Sequence, residues 1–280
     1  MAIDTSLNAM QSSEAVQTQF LQRPRGRIAY DVRGEGSLVL MVPGMGDPRS
    51  TFRFQVGPLA EAGFRVATMD LRGHGESDTT FDAHDDEALA ADVTALVEHL
   101  GGAATVVGNS MGAGAGVIAA ATRPDLVSRL VLVGPFVRNP RMGRLLLALF
   151  RVATLRPWVR IVWRSYLPSL YAGRKPDDFD AYRDLVHADL ARPGHAAAFS
   201  ATTRTTHAPA EALAPHVSVP VLVLMGERDP DFPDPVAEAR WITETVKGPA
   251  RFVIVDDAGH YPHSQQPDVV NAELVEFLRA

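Results

Sequence analysis

Residues 106–112 read Val-Val-Gly-Asn-Ser-Met-Gly, and this stretch decides the fold. It continues an apolar, β-branched run that starts at Ala103, and an alanine- and glycine-rich run without proline follows it up to Ala121. The order predicts a strand, a tight turn and a helix, with Ser110 at the turn. Small residues flank the serine, as a sharp strand-to-helix turn requires, because larger neighbours would clash. The pattern predicts a serine hydroxyl lifted clear of the backbone.

A serine hydroxyl is a poor nucleophile unless a histidine takes its proton and a carboxylate orients that histidine. The apolar stretch 219–225 is followed by Gly-Glu-Arg-Asp, which ends at Asp229. The apolar stretch 251–255 is followed by Asp-Asp-Ala-Gly-His, which ends at His260. Active sites of open α/β sheets collect at the carboxyl ends of parallel strands. The spacing therefore predicts that all three side chains meet at one edge of a sheet.

Serine, acid and histidine in this chain order, each after a strand, resemble the α/β-hydrolase superfamily. The resemblance runs from about Arg23 to Ala280 and includes Asp70-Leu71-Arg72-Gly73-His74-Gly75-Glu76-Ser77 and Gly259-His260-Tyr261-Pro262-His263. It implies that Ser110 is the nucleophile, His260 the base and then the acid, and Asp229 the orienting carboxylate. It says almost nothing about the substrate.

The identity of the orienting acid is the open point in this assignment. Four other acids compete for the role: Asp231, Asp234, Asp256 and Asp257. We prefer Asp229 because it occupies the acid position of the family's Gly-X-X-Asp pattern, whereas the first two competitors lie further into a proline-rich loop. The segment 133–136 has no acid, which argues against the family's alternative placement after the preceding strand.

The tetrahedral oxyanion of acyl transfer needs two backbone N–H donors. The resemblance assigns them to Met111, directly after the nucleophile, and to Met45, in the loop Pro-Gly-Met-Gly-Asp at 43–47. Pro43 stands where the family commonly has histidine. Proline has no N–H, but the expected donor is two residues later, so an oxyanion hole remains possible.

Strand-like and helix-like stretches alternate along most of the chain, which is typical of a parallel sheet covered by helices on both faces. Strands are predicted near 17–21, 27–32, 38–42, 64–69, 104–108, 128–133, 220–225 and 251–255. The first two are expected to be antiparallel. The predicted fold class is thus α/β, an α/β-hydrolase fold with a mostly parallel central sheet and a helical cap inserted after the sixth strand.

The predicted domain division has three parts. An N-terminal tail at 1–20 is polar and is a candidate for disorder. The hydrolase core comprises 21–136 and 208–280, and the cap comprises 137–207, where the regular alternation breaks. The cap is expected to roof the site and shape an apolar pocket.

Four cap aromatics are candidates for lining the substrate pocket: Trp158, Trp163, Tyr166 and Tyr171. Each of them could instead simply pack the cap onto the core. The cap as a whole is the best candidate for determining specificity.

Composition limits the partners. The chain has 280 residues, no cysteine and a net charge of −6, so we expect no disulfide, no cysteine metal site and no nucleic-acid binding. No metal and no cofactor are expected. The partner is expected to be a small-molecule substrate rather than a membrane, because no apolar stretch is long enough to cross a bilayer. Residues 1–19 have neither a basic leader nor an apolar signal core, which predicts a cytoplasmic location. A homodimer is conceivable but has no specific support.

These residues predict a serine hydrolase that cleaves a small to medium, largely apolar carboxylic ester, thioester or lactone through an acyl-enzyme. The same triad could instead serve carbon–carbon bond hydrolysis, peracid formation or acyl transfer, because fold and triad do not separate these reactions. A non-catalytic ligand-binding member of the fold is the alternative from a different class. The intact set of three residues argues against it, because binding alone needs no activated nucleophile.

Overall fold

A computed structural model describes residues 17–140, 144–156 and 158–280, and in the first cap helix the side chains are described from residue 148 onward. Within these residues the chain forms one sheet of eight strands in the order β1-β2-β4-β3-β5-β6-β7-β8. The strands are β1 (Gln19–Arg23), β2 (Gly26–Arg33), β3 (Ser37–Val42), β4 (Phe64–Met69), β5 (Ala104–Asn109), β6 (Val127–Val133), β7 (Val221–Gly226) and β8 (Ala250–Val255). All eight lie where the sequence predicts them.

β2 pairs antiparallel with both of its neighbours, β1 and β4, whereas the pairs from β4 through β3, β5, β6 and β7 to β8 are parallel. Parallel strands need long crossover connections, which are supplied here by helices. The central strand β5 is buried over its whole length, consistent with its continuous apolar sequence. The predicted fold class is confirmed.

Helices cover both faces of the sheet. They are α1 (Arg53–Glu61), α2 (Asp86–His99), α3 (Met111–Thr122), α4 (Arg144–Ala153), α5 (Val159–Leu170), α6 (Phe179–Ala191), α7 (His195–Thr202), α8 (Ala208–Leu213), α9 (Pro235–Thr245), α10 (Pro262–Gln265) and α11 (Pro267–Arg279). Asp85 caps α2 by accepting from the backbone N–H of Ala88 at 2.8 Å, as is typical of an aspartate at a helix N-terminus.

The alternation of side chains along the strands divides the core into two layers. In β3, Leu40 belongs to the layer beneath α2, α3 and α9, whereas Val39 and Met41 belong to the layer beneath α1 and α11. Both layers are closed to solvent, so the ends of the strands are held in fixed relative positions.

Five helices of the described residues, α4–α8, lie between β6 and β7, and α4–α7 fall within the predicted cap at 137–207. Helices α5, α6 and α7 contribute to a separate hydrophobic cluster that includes Val159, Leu167, Tyr182 and Phe199. The division into core and cap at 137 and 207 stays a prediction. The predicted tail at 1–20 falls mostly outside the described residues, and its last two residues, Gln19 and Phe20, are already part of β1.

Candidate active site

Ser110 lies in the sharp turn between β5 and α3. Its backbone has φ 55° and ψ −119°, a strained conformation that non-glycine residues rarely adopt. The glycines on either side permit the turn: a Cβ at Gly108 would lie 2.3 Å from the carbonyl oxygen of Gly112, and one at Gly112 would lie 2.4 Å from that of Val42. The small residues of the motif are therefore needed for backbone packing, as the sequence predicts.

His260 and Asp229 form a buried pair next to this turn. Nδ1 of His260 lies 2.8 Å from Oδ2 of Asp229, and the two side chains are 3% and 0% exposed. Gly134, after β6, packs against both, since a Cβ there would lie 3.2 Å from His260 Nδ1 and 3.4 Å from Asp229 Oδ2. The structure thus joins the two residues that the sequence places after β7 and β8.

Hydrogen bonds connect the serine turn to the end of β6 and to the histidine loop. The N–H of Ser110 donates to the carbonyl oxygen of Val133 at 3.0 Å. The amide of Asn109 donates to the same oxygen at 3.0 Å and to the carbonyl oxygen of His260 at 3.4 Å. Among the hydrogen bonds of the described residues, Ser110 Oγ takes part in none. Catalytic hydrogen bonds often form only when substrate binds, so the lack of such a bond is compatible with a serine–histidine pair.

Three carboxylates act on the charge of His260. Burial lowers its pKa, but Asp229, Asp231 and Asp47 favour the protonated ring and together raise the pKa to about 9. Asp231 lies 3.6 Å from His260 Nδ1 through Oδ2. Burial raises the pKa of Asp231 itself. The imidazolium that forms when a histidine accepts a proton is therefore strongly stabilised here.

The spacing of Asp229, Asp231 and His260 would also suit a metal ion, because one ligand atom from each lies within 4.8 Å of the others. The hydrogen bond from His260 Nδ1 to Asp229 occupies the nitrogen that would face such an ion. The arrangement therefore fits proton transfer better than metal binding.

The remaining acid candidates lie in other environments. Asp234 caps α9 by accepting from the N–H of Ala237 at 2.9 Å. Asp257 pairs with Arg228 at 2.9 Å, and Asp256 is exposed. Of the five acids considered from the sequence, Asp229 and Asp231 are the two in contact with His260.

Two backbone N–H groups are available where an oxyanion would form. Met111 is the first residue of α3, whose first turn presents N–H groups without intrahelical partners and carries the positive end of the helix dipole. The loop at 43–47 lies against the serine, because a Cβ at Gly44 would come 2.8 Å from Ser110 Cβ. In the described part of the chain, neither the Met45 nor the Met111 N–H has a hydrogen-bond partner. Met45 thus lies in a loop next to Ser110, and Met111 lies at the start of the helix that follows it.

The cap contacts the site through two of the four predicted pocket aromatics. The indole of Trp163 covers the loop at Gly46, where a Cβ would lie 2.8 Å from its Nε1, and that nitrogen is buried without a partner. The hydroxyl of Tyr166 donates to Asp231 at 2.5 Å. Trp163 packs on Phe199, with ring centroids 4.9 Å apart.

The other two aromatics lie elsewhere. Tyr171 is fully buried and stacks on Tyr261 with centroids 4.6 Å apart, so it reaches the site through the neighbour of His260. Trp158 is 48% exposed, and its indole N–H donates to the carbonyl oxygen of Val152 at 2.9 Å. No contact of Trp158 with the site is found among the described residues, and its place in the pocket stays a prediction without structural support.

The sequence analysis missed a buried carboxylate in the loop at 43–47. Asp47 accepts hydrogen bonds from the hydroxyls of Tyr182, in the cap, and Tyr261, beside His260, both at 2.8 Å. Burial raises the pKa of Asp47 to about 6, although these two hydrogen bonds oppose the shift. Its position next to Gly46 was the only sequence signal, because its partners are distant along the chain.

A cavity of about 660 Å³ lies away from these residues, between the sheet edge and α6. It is lined by charged groups that include Arg49, Arg53 and Glu76, together with Leu185 of α6. Ser110 and His260 are not among its lining residues; both are buried, 5% and 2% exposed. The site is thus closed over by the cap.

Comparisons with known proteins agree with this geometry. Residues 39–273 match the model of the Alpha/beta hydrolase family. The chain is 28% identical over 268 residues to a 2-(acetamidomethylene)succinate hydrolase of Mesorhizobium japonicum, covering 91% of this chain and 93% of that protein. It is 30% identical over 258 residues to the dihydrolipoyllysine-residue acetyltransferase component of an acetoin cleaving system of Pseudomonas putida, covering 89% of this chain and 66% of that protein.

Among solved structures, a thermophilic esterase of Thermogutta terrifontis is similar, with a TM-score of 0.75 and 25% identity over 94% of this chain and 98% of that one. The described residues contain no helix with both the length and the apolar character needed to cross a bilayer. The family match spans most of the chain, including the segments that carry Ser110, Asp229 and His260. This protein therefore belongs to the alpha/beta hydrolase family of enzymes.

Proposed function

We propose that this enzyme hydrolyses a small to medium, largely apolar carboxylic ester, thioester or lactone through an acyl-enzyme on Ser110. The observation that carries the proposal is the strained turn that presents Ser110 beside the buried His260–Asp229 pair. A fixed hydroxyl, a histidine and an oriented carboxylate at one sheet edge are the parts that nucleophilic acyl transfer needs.

In the proposed mechanism, Ser110 Oγ attacks the carbonyl carbon while His260 Nε2 takes its proton. Asp229 holds the ring through Nδ1 and stabilises the imidazolium. The N–H groups of Met45 and Met111 bind the oxyanion, aided by the N-terminus of α3. His260 then protonates the leaving group, and a water molecule that it activates releases the acid from Ser110.

The cap residues that face the loop at 43–47 support this substrate class. The cap side facing the loop at 43–47 is aromatic, with Trp163 and Phe199 in contact there. The buried N–H of Trp163 offers one hydrogen bond to an otherwise apolar ligand. The structural similarity to an esterase supports the same class.

Acyl transfer to an acceptor other than water is a second candidate. A relative that matches 89% of this chain is named for an acetyltransferase component. In this reaction an alcohol or thiol would replace water in the second step. Carbon–carbon bond hydrolysis, peracid formation and non-catalytic ligand binding stay predictions of lower rank.

A panel of p-nitrophenyl esters of increasing acyl length, with simple lactones, tests the proposal on the wild type, Ser110→Ala and Ser218→Ala. Ser218 is exposed and distant in sequence, so its variant is the matched control. We expect turnover that depends on acyl length, survives in the control and falls by roughly four to six orders of magnitude in Ser110→Ala.

A fluorophosphonate probe gives an independent measurement, because it labels an activated serine without any substrate being known. We expect stoichiometric labelling of the wild type and none of Ser110→Ala. Labelling without hydrolysis of any ester or lactone would direct attention to acyl transfer or carbon–carbon hydrolysis. Absence of labelling in folded protein would contradict the proposal and favour a binding protein.

A further inference from the structure

Five exposed apolar side chains recur at every third position along α4, α5 and the turn between them. They are Leu149, Val152, Leu155, Trp158 and Ile161, which are 41% to 67% exposed. Backbone N–H groups at 155, 158 and 161 donate to the carbonyl oxygens three residues earlier, at 3.1, 3.2 and 2.9 Å. Hydrogen bonds of this spacing make residues i and i+3 neighbours one turn apart, so the five side chains follow one another along a row. We call this row the cap ridge.

The cap ridge lies in the most basic part of the chain. Residues 141–175 contain eight arginines and lysines and no aspartate or glutamate, whereas the whole chain has a net charge of −6. Arg151 and Arg156, between the apolar positions, are exposed and have no ion pair among the described side chains. Arg164, one turn beyond Ile161, is partly neutralised by Asp184 at 3.1 Å.

Packing of the cap does not account for the cap ridge. The inward side of α5 is formed by other residues, Val159, Leu167 and Leu170, which are buried in the cap's own cluster. Single exposed apolar residues are ordinary on a protein surface. A row of five that includes a tryptophan and has the exposed Arg151 and Arg156 between its members is instead typical of a binding surface.

We propose that the cap ridge docks on the surface of an anionic phospholipid bilayer. Apolar side chains with tryptophan enter the boundary between headgroups and acyl chains, while arginines bind the lipid phosphates. Each basic residue near such a surface adds to the attraction. A second copy of the chain is a poorer occupant, because two facing ridges would bring arginines against arginines.

The sequence predicted no membrane partner because no stretch could span a bilayer. Docking on a surface requires no spanning segment, and the exposed ridge leads us to the opposite expectation. The same helix α5 carries Trp163 and Tyr166 toward the site on its other side. Docking would therefore hold the cap at the water–lipid boundary, where apolar esters concentrate. The binding itself does not depend on the proposed reaction.

Sedimentation with unilamellar vesicles tests the proposal, using phosphatidylcholine alone and phosphatidylcholine mixed with phosphatidylglycerol. We expect the wild type and Ser110→Ala to bind the anionic vesicles equally, and both to bind neutral vesicles much more weakly. Retained binding by Ser110→Ala separates this inference from the proposed function, which the esterase assay tests by itself.

Two double variants locate the surface. Arg151→Glu with Arg156→Glu should weaken partitioning by at least about twentyfold, and Leu149→Ser with Ile161→Ser should also weaken it. The matched controls are Arg33→Glu with Arg240→Glu and Val236→Ser with Val269→Ser, exposed residues of the same types outside the cap. Circular dichroism and thermal unfolding verify that each variant is folded.

Wild-type protein that ignores anionic vesicles would overturn the proposal, as would ridge variants that bind like their controls. Light scattering, which reports the oligomeric state, tests whether a second copy of the chain covers the ridge instead. A concentration-dependent dimer that the ridge variants lose, without vesicle binding by the wild type, would show that a second copy covers the ridge.

Discussion

The carboxyl edge of the sheet and the cap enclose the same site but hold their residues in different ways. Ser110, Asp229 and His260 each follow a buried strand, and backbone hydrogen bonds fix the loops that carry them. The cap reaches the site chiefly through the side chains of Trp163, Tyr166 and Tyr182. Its backbone also contributes, because the N–H of His260 donates to the carbonyl oxygen of Leu170 in α5 at 2.8 Å. The difference indicates that the chemistry depends mainly on backbone bonds around the catalytic loops, whereas substrate choice and access depend on cap side chains that can be exchanged.

The sharpest test of the core side is Asp229→Asn. Asparagine preserves the shape but cannot stabilise the imidazolium and favours the wrong histidine tautomer, so we expect kcat to fall about ten-thousandfold. Asp257→Asn, on the same edge but paired with Arg228, is the control and should keep wild-type kcat. Activity within tenfold of the wild type in Asp229→Asn would transfer the orienting role to Asp231.

The loop at 43–47, where core and cap meet, is tested by Gly46→Ala. Gly46 has φ 86°, which strains any residue with a Cβ, and a Cβ there would lie 2.8 Å from the Trp163 indole, so the loop or the indole must move. We expect the displaced Met45 N–H to cost about a hundredfold in kcat. Gly57→Ala in α1, where a Cβ meets nothing within 4 Å, should leave kcat unchanged. Equal kinetics in the two variants would remove Met45 from the oxyanion hole.

On the cap side we expect a smaller and different effect. Trp163→Leu should raise KM by about tenfold for the best acyl chain, since it removes buried aromatic area and a hydrogen-bond donor, and should change kcat less. Trp158→Leu, on the exposed side of the cap, should leave both constants unchanged with water-soluble esters. A fall in kcat with constant KM in Trp163→Leu would mean that the cap takes part in the chemistry.

The smallest expected effect is a shift of the pH profile. Because His260 has a pKa raised to about 9, kcat/KM should fall as the pH drops through that value and the base becomes protonated. Asp231→Asn removes one of the charges that favour protonation, while Asp229 and Asp47 remain, so the acid limb should move to lower pH. Asp234→Asn, which keeps a good helix cap, is the control. An unmoved limb in Asp231→Asn would show that this carboxylate does not act on His260.

The sequence predicted every strand and the contact between Asp229 and His260, because strand positions follow from local apolar runs and parallel strands end at one edge. It could not predict the hydrogen bond from Tyr166 to Asp231, or the hydrogen bonds from Tyr182 and Tyr261 to Asp47. These contacts join side chains 65 or more residues apart, and only the packing of the folded chain determines them. The outward direction of Trp158 was unpredictable for the same reason. The cytoplasmic location stays a prediction.

Asp47 has a consequence for anyone exchanging caps between members of this family. Its carboxylate receives one hydroxyl from the core, Tyr261, and one from the cap, Tyr182. A transplanted cap that lacks a hydroxyl at position 182 would leave the buried carboxylate of Asp47, in the loop at 43–47, with one of its two hydrogen bonds missing. Chimeras should therefore be chosen by this one position before overall cap similarity, or be paired with a substitution that removes the carboxylate.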